Sequence, residues 1–328
     1  MKKWLVLAGV CAFMASPSAF AAADMSCAGK NFVFFPGGSE GDSFASIVYA
    51  GAKTAADQTG CKVDYVWSDW NPQKMVQQFS EAIARKPTGI SIMGHPGEEA
   101  LGPLIDQAEK AGIIVTDANV PLPTKEAEYK AGGFGYAGAA DLLTAGKTLG
   151  DAAVKACGLK SGDTAFVWGL LGQAGRGQRT QGVLDALKAA GVKVEYQEIS
   201  DAINGDATQG IPVFASVAAS HPDLKAMITD HGALTATIPA YMQAANKKPG
   251  EICGAGFDLS APIVKGVQDG YIAVVEDQQP FLQGYLNIIQ MYLTSKFGFA
   301  GLHVDTASSL INKDNIAAVA PLANEGIR

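Results

Sequence analysis

Residues 31–67, NFVFFPGGSEGDSFASIVYAGAKTAADQTGCKVDYVW, decide the fold. NFVFF (31–35) is a continuous apolar run of strand length, and PGGSEGDS is a glycine-rich turn. A helical pattern then runs over about 44–58, Gly60 stops it, and KVDYVW (62–67) is a second strand. Strand, helix and strand in that order form a βαβ unit with parallel strands. Apolar residues on both sides of the first strand predict a sheet covered on both faces.

The same grammar continues outward. SDWNP leads into a helix over about 72–85, GISIM (89–93) into HPGEEA and a helix to about Lys110, and IIVTDA (113–118) follows. After a helix at about 138–157 come AFVWGLL (165–171), a helix over about 176–190 and VKVEYQEIS (192–200). Helices over 208–219, about 234–246 and near 260–268 then alternate with KAMITD (225–230), CGAGF (253–257) and YIAVVED (271–277). Segments 51–68 and 182–200 share a Gly, a second Gly nine residues on, and then Lys-Val-acid-Tyr. The predicted fold class is therefore α/β, with two similarly wound, Rossmann-like parallel-sheet domains and helices on both faces. Ligands of such sheets bind beyond the carboxyl ends of the strands, which points to the cleft between the two domains.

Composition narrows the function. Of 328 residues, 48% are hydrophobic and only 17% charged, which excludes intrinsic disorder. The formal charge of −7 leaves no electrostatic footprint for nucleic acid or an anionic membrane surface. Residues 1–23 have the form of a signal peptide: Lys2 and Lys3, the apolar run WLVLAGVCAFMA, and an A-x-A site at residues 19–23. The expectation is an exported protein, cleaved near residues 21–23. Cys11 lies in that leader, leaving Cys27, Cys61, Cys157 and Cys253 in an oxidising compartment. Cys27 lies shortly before the first strand and Cys61 opens the next, so neighbouring strands would let them bridge. The pairing of Cys157 with Cys253 stays open.

Three segments carry the letters of catalytic or phosphate-binding motifs. Gly37-Gly38-Ser39-Glu40-Gly41 has the letters of a nucleophile elbow, with His303 as a late histidine. It follows the first strand, with almost no chain upstream to form an oxyanion loop, so a secreted serine hydrolase using Ser39 is the minor alternative. Gly133-Phe134-Gly135-Tyr136-Ala137-Gly138 matches G-x-G-x-x-G but follows PTKEAEYKA, which is no apolar strand. Gly146-Lys147-Thr148 ends like a phosphate loop, but Asp141 replaces its first glycine. His95, His221, His231 and His303 show no metal-ligand spacing. No enzyme activity, cofactor or metal is expected.

What remains is a set of residues just beyond predicted strand ends: Asp42, Phe44, Trp70, His95, Asn119, Arg179, His231, Asp258 and Gln278. Carboxylates, amides and guanidinium groups match the donors and acceptors of hydroxyls, while an aromatic face covers the C–H side of a sugar ring.

Several segments also carry a family resemblance, in order: VFFPGGSEGDSFASIVYAGAKTAADQTG, WNPQKMVQQFSEAI, AGIIV, GQAGRGQRTQGVLDALKAAG, HPDLKAMI, GAGFDLS and VVEDQQP. Over about residues 31–310 the chain resembles the exported sugar-binding proteins of ABC importers, the ribose- and galactose-binding class of type I periplasmic binding proteins. The resemblance implies three crossing segments, near 132–136, 277–280 and 303–306. The domains would then be 24–134 plus about 279–304, and 135–278 plus about 305–328. It implies a periplasmic monomer that closes around a small sugar or polyol and delivers it to a membrane permease. An alternative is a receptor for a furanosyl signal molecule that docks on a chemoreceptor.

Residue by residue, Arg179 in RTQG resembles the family's sugar-binding arginine, Asp258 the aspartate after G-F-D, and Gln278 the hinge glutamine. Phe44 resembles the first of two stacking aromatics, and Asp42 the polar residue before it. The chain departs from the pattern at Ala45, where the second aromatic belongs. It also has Asn119-Val120 in place of Asp-Arg, and His231-Gly232 in place of Asn before an acid. Trp70 and Trp168 are candidates to replace the missing ring surface.

Overall fold

The computed structural model describes residues 25–129, 134–299, 301–307 and 309–328. The expected leader and residues 132–133 of the first expected crossing lie outside them. The opening unit forms as its sequence dictates. β1 (Asn31–Phe34) buries its last three residues. The Asp42 carboxylate then accepts the backbone N–H groups of Phe44 and Ala45 at the head of α1 (Ala45–Thr59). Gly60 ends that helix at φ +71°, in the left-handed region glycine enters without steric cost. β2 (Lys62–Tyr65) pairs parallel to β1, and the bridge between Cys27 and Cys61 joins their amino ends.

Alternation continues through α2 (Pro72–Ala84), β3 (Gly89–Met93), α3 (Glu98–Lys110), β4 (Ile114–Asn119), α4 (Pro123–Tyr129) and β5 (Gly135–Gly138). The second half holds α5 (Leu142–Ala156), β6 (Thr164–Gly169), α6 (Gly177–Ala189), β7 (Lys193–Glu198), the short α7 (Asp201–Gly205) and α8 (Ile211–Ser220). Then follow β8 (Leu224–Thr229), α9 (Gly232–Ala244), β9 (Cys253–Phe257), α10 (Ala261–Gln268) and β10 (Ile272–Asp277). The chain returns to the first half for α11 (Pro280–Phe297) and β11 (His303–Asp305), and ends in the second with β12 (Ser309–Asn312) and α12 (Ile316–Asn324).

Two six-stranded sheets result, ordered β11-β5-β4-β3-β1-β2 and β12-β10-β9-β8-β6-β7. All pairings are parallel except that of β12 with β10. Alternation along β6 sends Phe166 and Trp168 into one apolar core and Ala165 and Val167 into another, so both faces of the second sheet are covered. Cys157 and Cys253 form a second bridge, from the end of α5 to the start of β9.

The structure corrects the reading around residue 138. Gly135–Gly138 is a strand between β4 and β11, and the helix expected from about 138 begins only at Leu142, as α5. Its Tyr136 hydroxyl donates to the backbone oxygens of Asn119 and Ala139, and a Cβ at Gly135 would lie 2.0 Å from Gln290 Oε1. The passage to the second sheet therefore follows residue 138, later than 132–136. The other two passages lie between β10 and α11 and between β11 and β12.

Candidate ligand-binding site

A cavity lies between the carboxyl ends of the two sheets, the place where ligands of doubly wound folds bind. The nine residues expected from strand ends all line it. Asp42 and Phe44 come from the turn after β1, Trp70 from that after β2, His95 from that after β3, and Asn119 from the end of β4. From the opposite half, Arg179 projects from the first turn of α6, and His231, Asp258 and Gln278 follow β8, β9 and β10. Leu170, Gln173, Arg176, Asn204 and Ala233 complete the lining. Leu170 and Gln173 follow β6 and obey the same strand-end rule, and Arg176 stands three residues before Arg179 in GRGQR. Asn204 lies in the short α7, which carried no signal.

The first wall is aromatic. The Trp70 ring lies 5.9 Å from Phe44 and 4.9 Å from His95, and its indole N–H donates to Asp42 Oδ2 at 3.2 Å. Gly37 and Gly38 make room for it, since a Cβ at either would fall within 2.7 Å of the indole. Trp70 thus supplies the ring surface that Ala45 lacks. Trp168 does not: it is fully buried against Phe166 and Tyr241, on the face of β6 that looks into the core.

The second wall is charged. Arg179 donates from Nη1 to Gln278 Oε1 at 2.6 Å and from Nη2 to the Asp230 backbone oxygen, and its guanidinium lies 4.1 Å above the Phe257 ring. Gln278 Nε2 donates to Asp258 Oδ1 at 2.6 Å, and Asn119 Nδ2 reaches Gln278 Oε1 and Gln283 Oε1. One buried glutamine therefore joins the two halves. Behind it, Asp230 accepts from Arg176, Thr180 and the Leu170 N–H, and meets His231 Nδ1 at 3.0 Å.

Burial sets the protonation states. It pushes Asp258 up to about 6, against Arg179 and Gln278. It also pushes Arg179 down to about 9, helped by the charge of Arg176. The Asp230 carboxyl feels burial too, but Arg176, His231 and Arg179 hold it well below the carboxylate range. Burial followed by the two arginines lowers His95 well below its ordinary value, so its ring is neutral. Buried polar atoms without protein partners gather here: His95 Nδ1, Gln173 Oε1, Arg176 Nε and Nη1, Arg179 Nε and His231 Nε2. Such groups are costly unless something bonds them, which marks the cavity as built for a polar guest.

The hydrolase residues do not assemble. Ser39 donates to Asp69 Oδ1 at 2.7 Å, and His303 pairs with Glu126 beside β11. Gly146 to Thr148 lie inside α5, and Gly135 to Gly138 form β5, so neither makes a phosphate loop; Gly133 lies outside the described residues. Among the described residues there is no metal-binding cluster and no helix long and apolar enough to cross a membrane.

Comparison with known proteins agrees with this geometry. Residues 32–294 match the family described as periplasmic binding protein domain. The chain is 28% identical over 242 residues to the ribose import binding protein of Haemophilus influenzae, covering 73% of this chain and 77% of that one. It is 27% identical over 252 residues to the xylose/arabinose-binding protein of Sulfolobus acidocaldarius, covering 74% of this chain but 61% of that longer relative. In fold it resembles a carbohydrate transporter from Acidothermus cellulolyticus solved with myo-inositol, with a TM-score of 0.76 at 24% identity over 91% of this chain and 99% of the other.

Proposed function

The chain belongs to the periplasmic binding protein family, whose members bind solutes rather than transform them, and from that premise we propose a receptor for a small sugar or sugar-like polyol. It acts in the periplasm and hands its ligand to the permease of an ABC importer. The observation that carries this reading is the pairing of two walls. Phe44 and Trp70 offer ring faces from one half, while Arg176, Arg179 and Asp258 offer buried charged donors and an acceptor from the other. That is the surface a pyranose, furanose or cyclitol requires, with C–H on one face and hydroxyls around the rim.

The mechanism is hinge closure. The moving bodies are the two sheets with their helices, joined by the passages after residues 138, 277 and 305. These passages are tied to one another: Thr306 N–H donates to the Gly138 oxygen, and Gln279 Nε2 donates to the Thr306 oxygen. Because each wall holds part of the contact set, a ligand binds the closed form better than the open one and shifts the population towards it. The test is a thermal-shift panel of D-ribose, D-xylose, L-arabinose and myo-inositol. At 100-fold excess over Kd a ligand adds about 2.7 kcal/mol of stability, a readable rise. At least one compound is expected to produce it, and a flat response to the whole panel would overturn the reading.

A further inference from the structure

All the arginine in the cavity comes from one wall. The first half contributes Asp42, Phe44, Trp70, His95 and Asn119, and both guanidinium groups belong to the second. The two arginines are not equivalent. Arg179 has committed Nη1 to Gln278 and Nη2 to the Asp230 backbone, which leaves Nε alone without a protein partner. Arg176, only 3% exposed, uses Nη2 for the Asp230 backbone oxygen and carboxylate at 3.2 and 3.4 Å. Its Nε and Nη1 are both buried without a partner.

Arg176 is also held in place before any ligand arrives. The Asp230 carboxylate that anchors it is itself fixed by Thr180, by the Leu170 N–H and by His231. The loop that carries it presses against the opposite half through Gly175, at φ +66°, where a Cβ would sit 3.0 Å from Val120 Cγ1. A cation anchored by Asp230, lining the same cavity as the Phe44 and Trp70 rings, constrains how a guest can lie.

We propose that Arg176 is a ligand-gripping, specificity-determining residue. It donates from Nε or Nη1, which lie on different edges of the guanidinium, to a ligand oxygen, while Phe44 and Trp70 cover the ligand's C–H face. The polar edge of the ligand is thereby turned towards the second half. A charged donor whose direction is fixed by the Asp230 anchor reads the placement of the oxygen it meets, so epimers that move that oxygen lose a charge-assisted bond. A lysine, with a single rotatable point charge, keeps the charge but not the fixed donor direction.

This inference rests on the sugar reading, and the experiment separates the two. Wild type, Arg176→Met and Arg176→Lys are titrated calorimetrically with D-ribose, D-xylose, L-arabinose and myo-inositol, and each unliganded protein is melted. Arg176→Met is expected to weaken the best ligand about tenfold to a hundredfold and to compress the differences among the four. Arg176→Lys is expected to recover part of the affinity but not the ranking. Binding to Arg176→Met with undiminished affinity and unchanged ranking overturns this proposal alone. Equal weakening of all four, matched by a fall in the unliganded melting temperature and no recovery in Arg176→Lys, assigns the residue a purely structural role and overturns it too. Wild-type protein that binds none of the four overturns the sugar reading and this proposal with it.

Discussion

Asp258 stands at the end of β9 with a positive φ of 74° and a carboxyl raised by burial to about 6. A carboxyl with a raised pKa takes up its proton more readily in the folded than in the unfolded chain. Its contribution to stability is therefore fully present at low pH and is lost as pH rises through about 6. Ligand binding runs the other way, because a hydroxyl that donates to ionised Asp258 loses its acceptor on protonation. Calorimetric titrations from pH 8 to 5 are expected to show affinity falling through about 6, and Asp258→Asn is expected to flatten that profile. Asp42 teaches a different lesson. Strand-end position and resemblance both pointed to it, but its Oδ1 caps α1 and its Oδ2 holds the Trp70 indole. Asp42→Ala is expected to cost about 0.5–2 kcal/mol in urea unfolding from the lost cap. It is also expected to weaken the ligand by freeing Trp70.

At the scale of elements, the repeated glycines found in segments 51–68 and 182–200 acquire physical roles. Gly60 and Gly191 both end helices at positive φ, 71° and 75°. Gly51 and Gly182 are contact points between paired helices. A Cβ at Gly51 would lie 2.0 Å from the Phe281 oxygen, and one at Gly182 would lie 2.2 Å from the Leu143 oxygen. Their partners are as tight: Gly284 against the Val48 oxygen at 1.9 Å, and Gly146 against the Arg179 oxygen at 1.9 Å. Overpacking such a contact costs about 1–3 kcal/mol. Gly51→Ala is expected to lower the melting temperature with little effect on affinity. Gly146→Ala is expected to lower both, because it displaces the backbone of Arg179; melting and titration of the two variants side by side check the contrast. The strand β5 escaped the sequence reading because Gly-Tyr-Ala-Gly holds one strand former, Tyr136, among three residues depleted in strands. Its conformation is imposed by β4, β11 and the Tyr136 hydroxyl.

For the whole molecule, the two disulfides span 34 and 96 residues, and each stays within one half. Reduction is expected to cost roughly 2–4 kcal/mol per bridge, chiefly by freeing the unfolded chain. Because neither bridge crosses the hinge, the ligand-induced rise in melting temperature should survive mild reduction, as a thermal scan with and without dithiothreitol would show. Closure itself is a change of shape. Small-angle scattering is expected to show a smaller radius of gyration with saturating ligand than without, and identical radii would count against a hinge.

Apolar runs of strand length, helical periodicity and glycine stops determined by themselves that this chain is α/β and wound twice, and pointed to the strand ends for a candidate site. These are properties of short stretches of chain, and any βαβ unit obeys them wherever it sits. Tertiary structure alone decided the rest. It made Trp70 a wall of the site and Trp168 part of the core, tied Asp42 to Trp70, closed the bridge from Cys157 to Cys253, and left Arg176 with two buried donors unmatched. Each of these depends on which residues, 28 to 99 positions apart in the bonds of Asp42 with Trp70 and of Arg179 with Gln278, are brought within hydrogen-bond reach. No local pattern encodes that distance, because it is set by the order of strands within each sheet and the packing of helices on it.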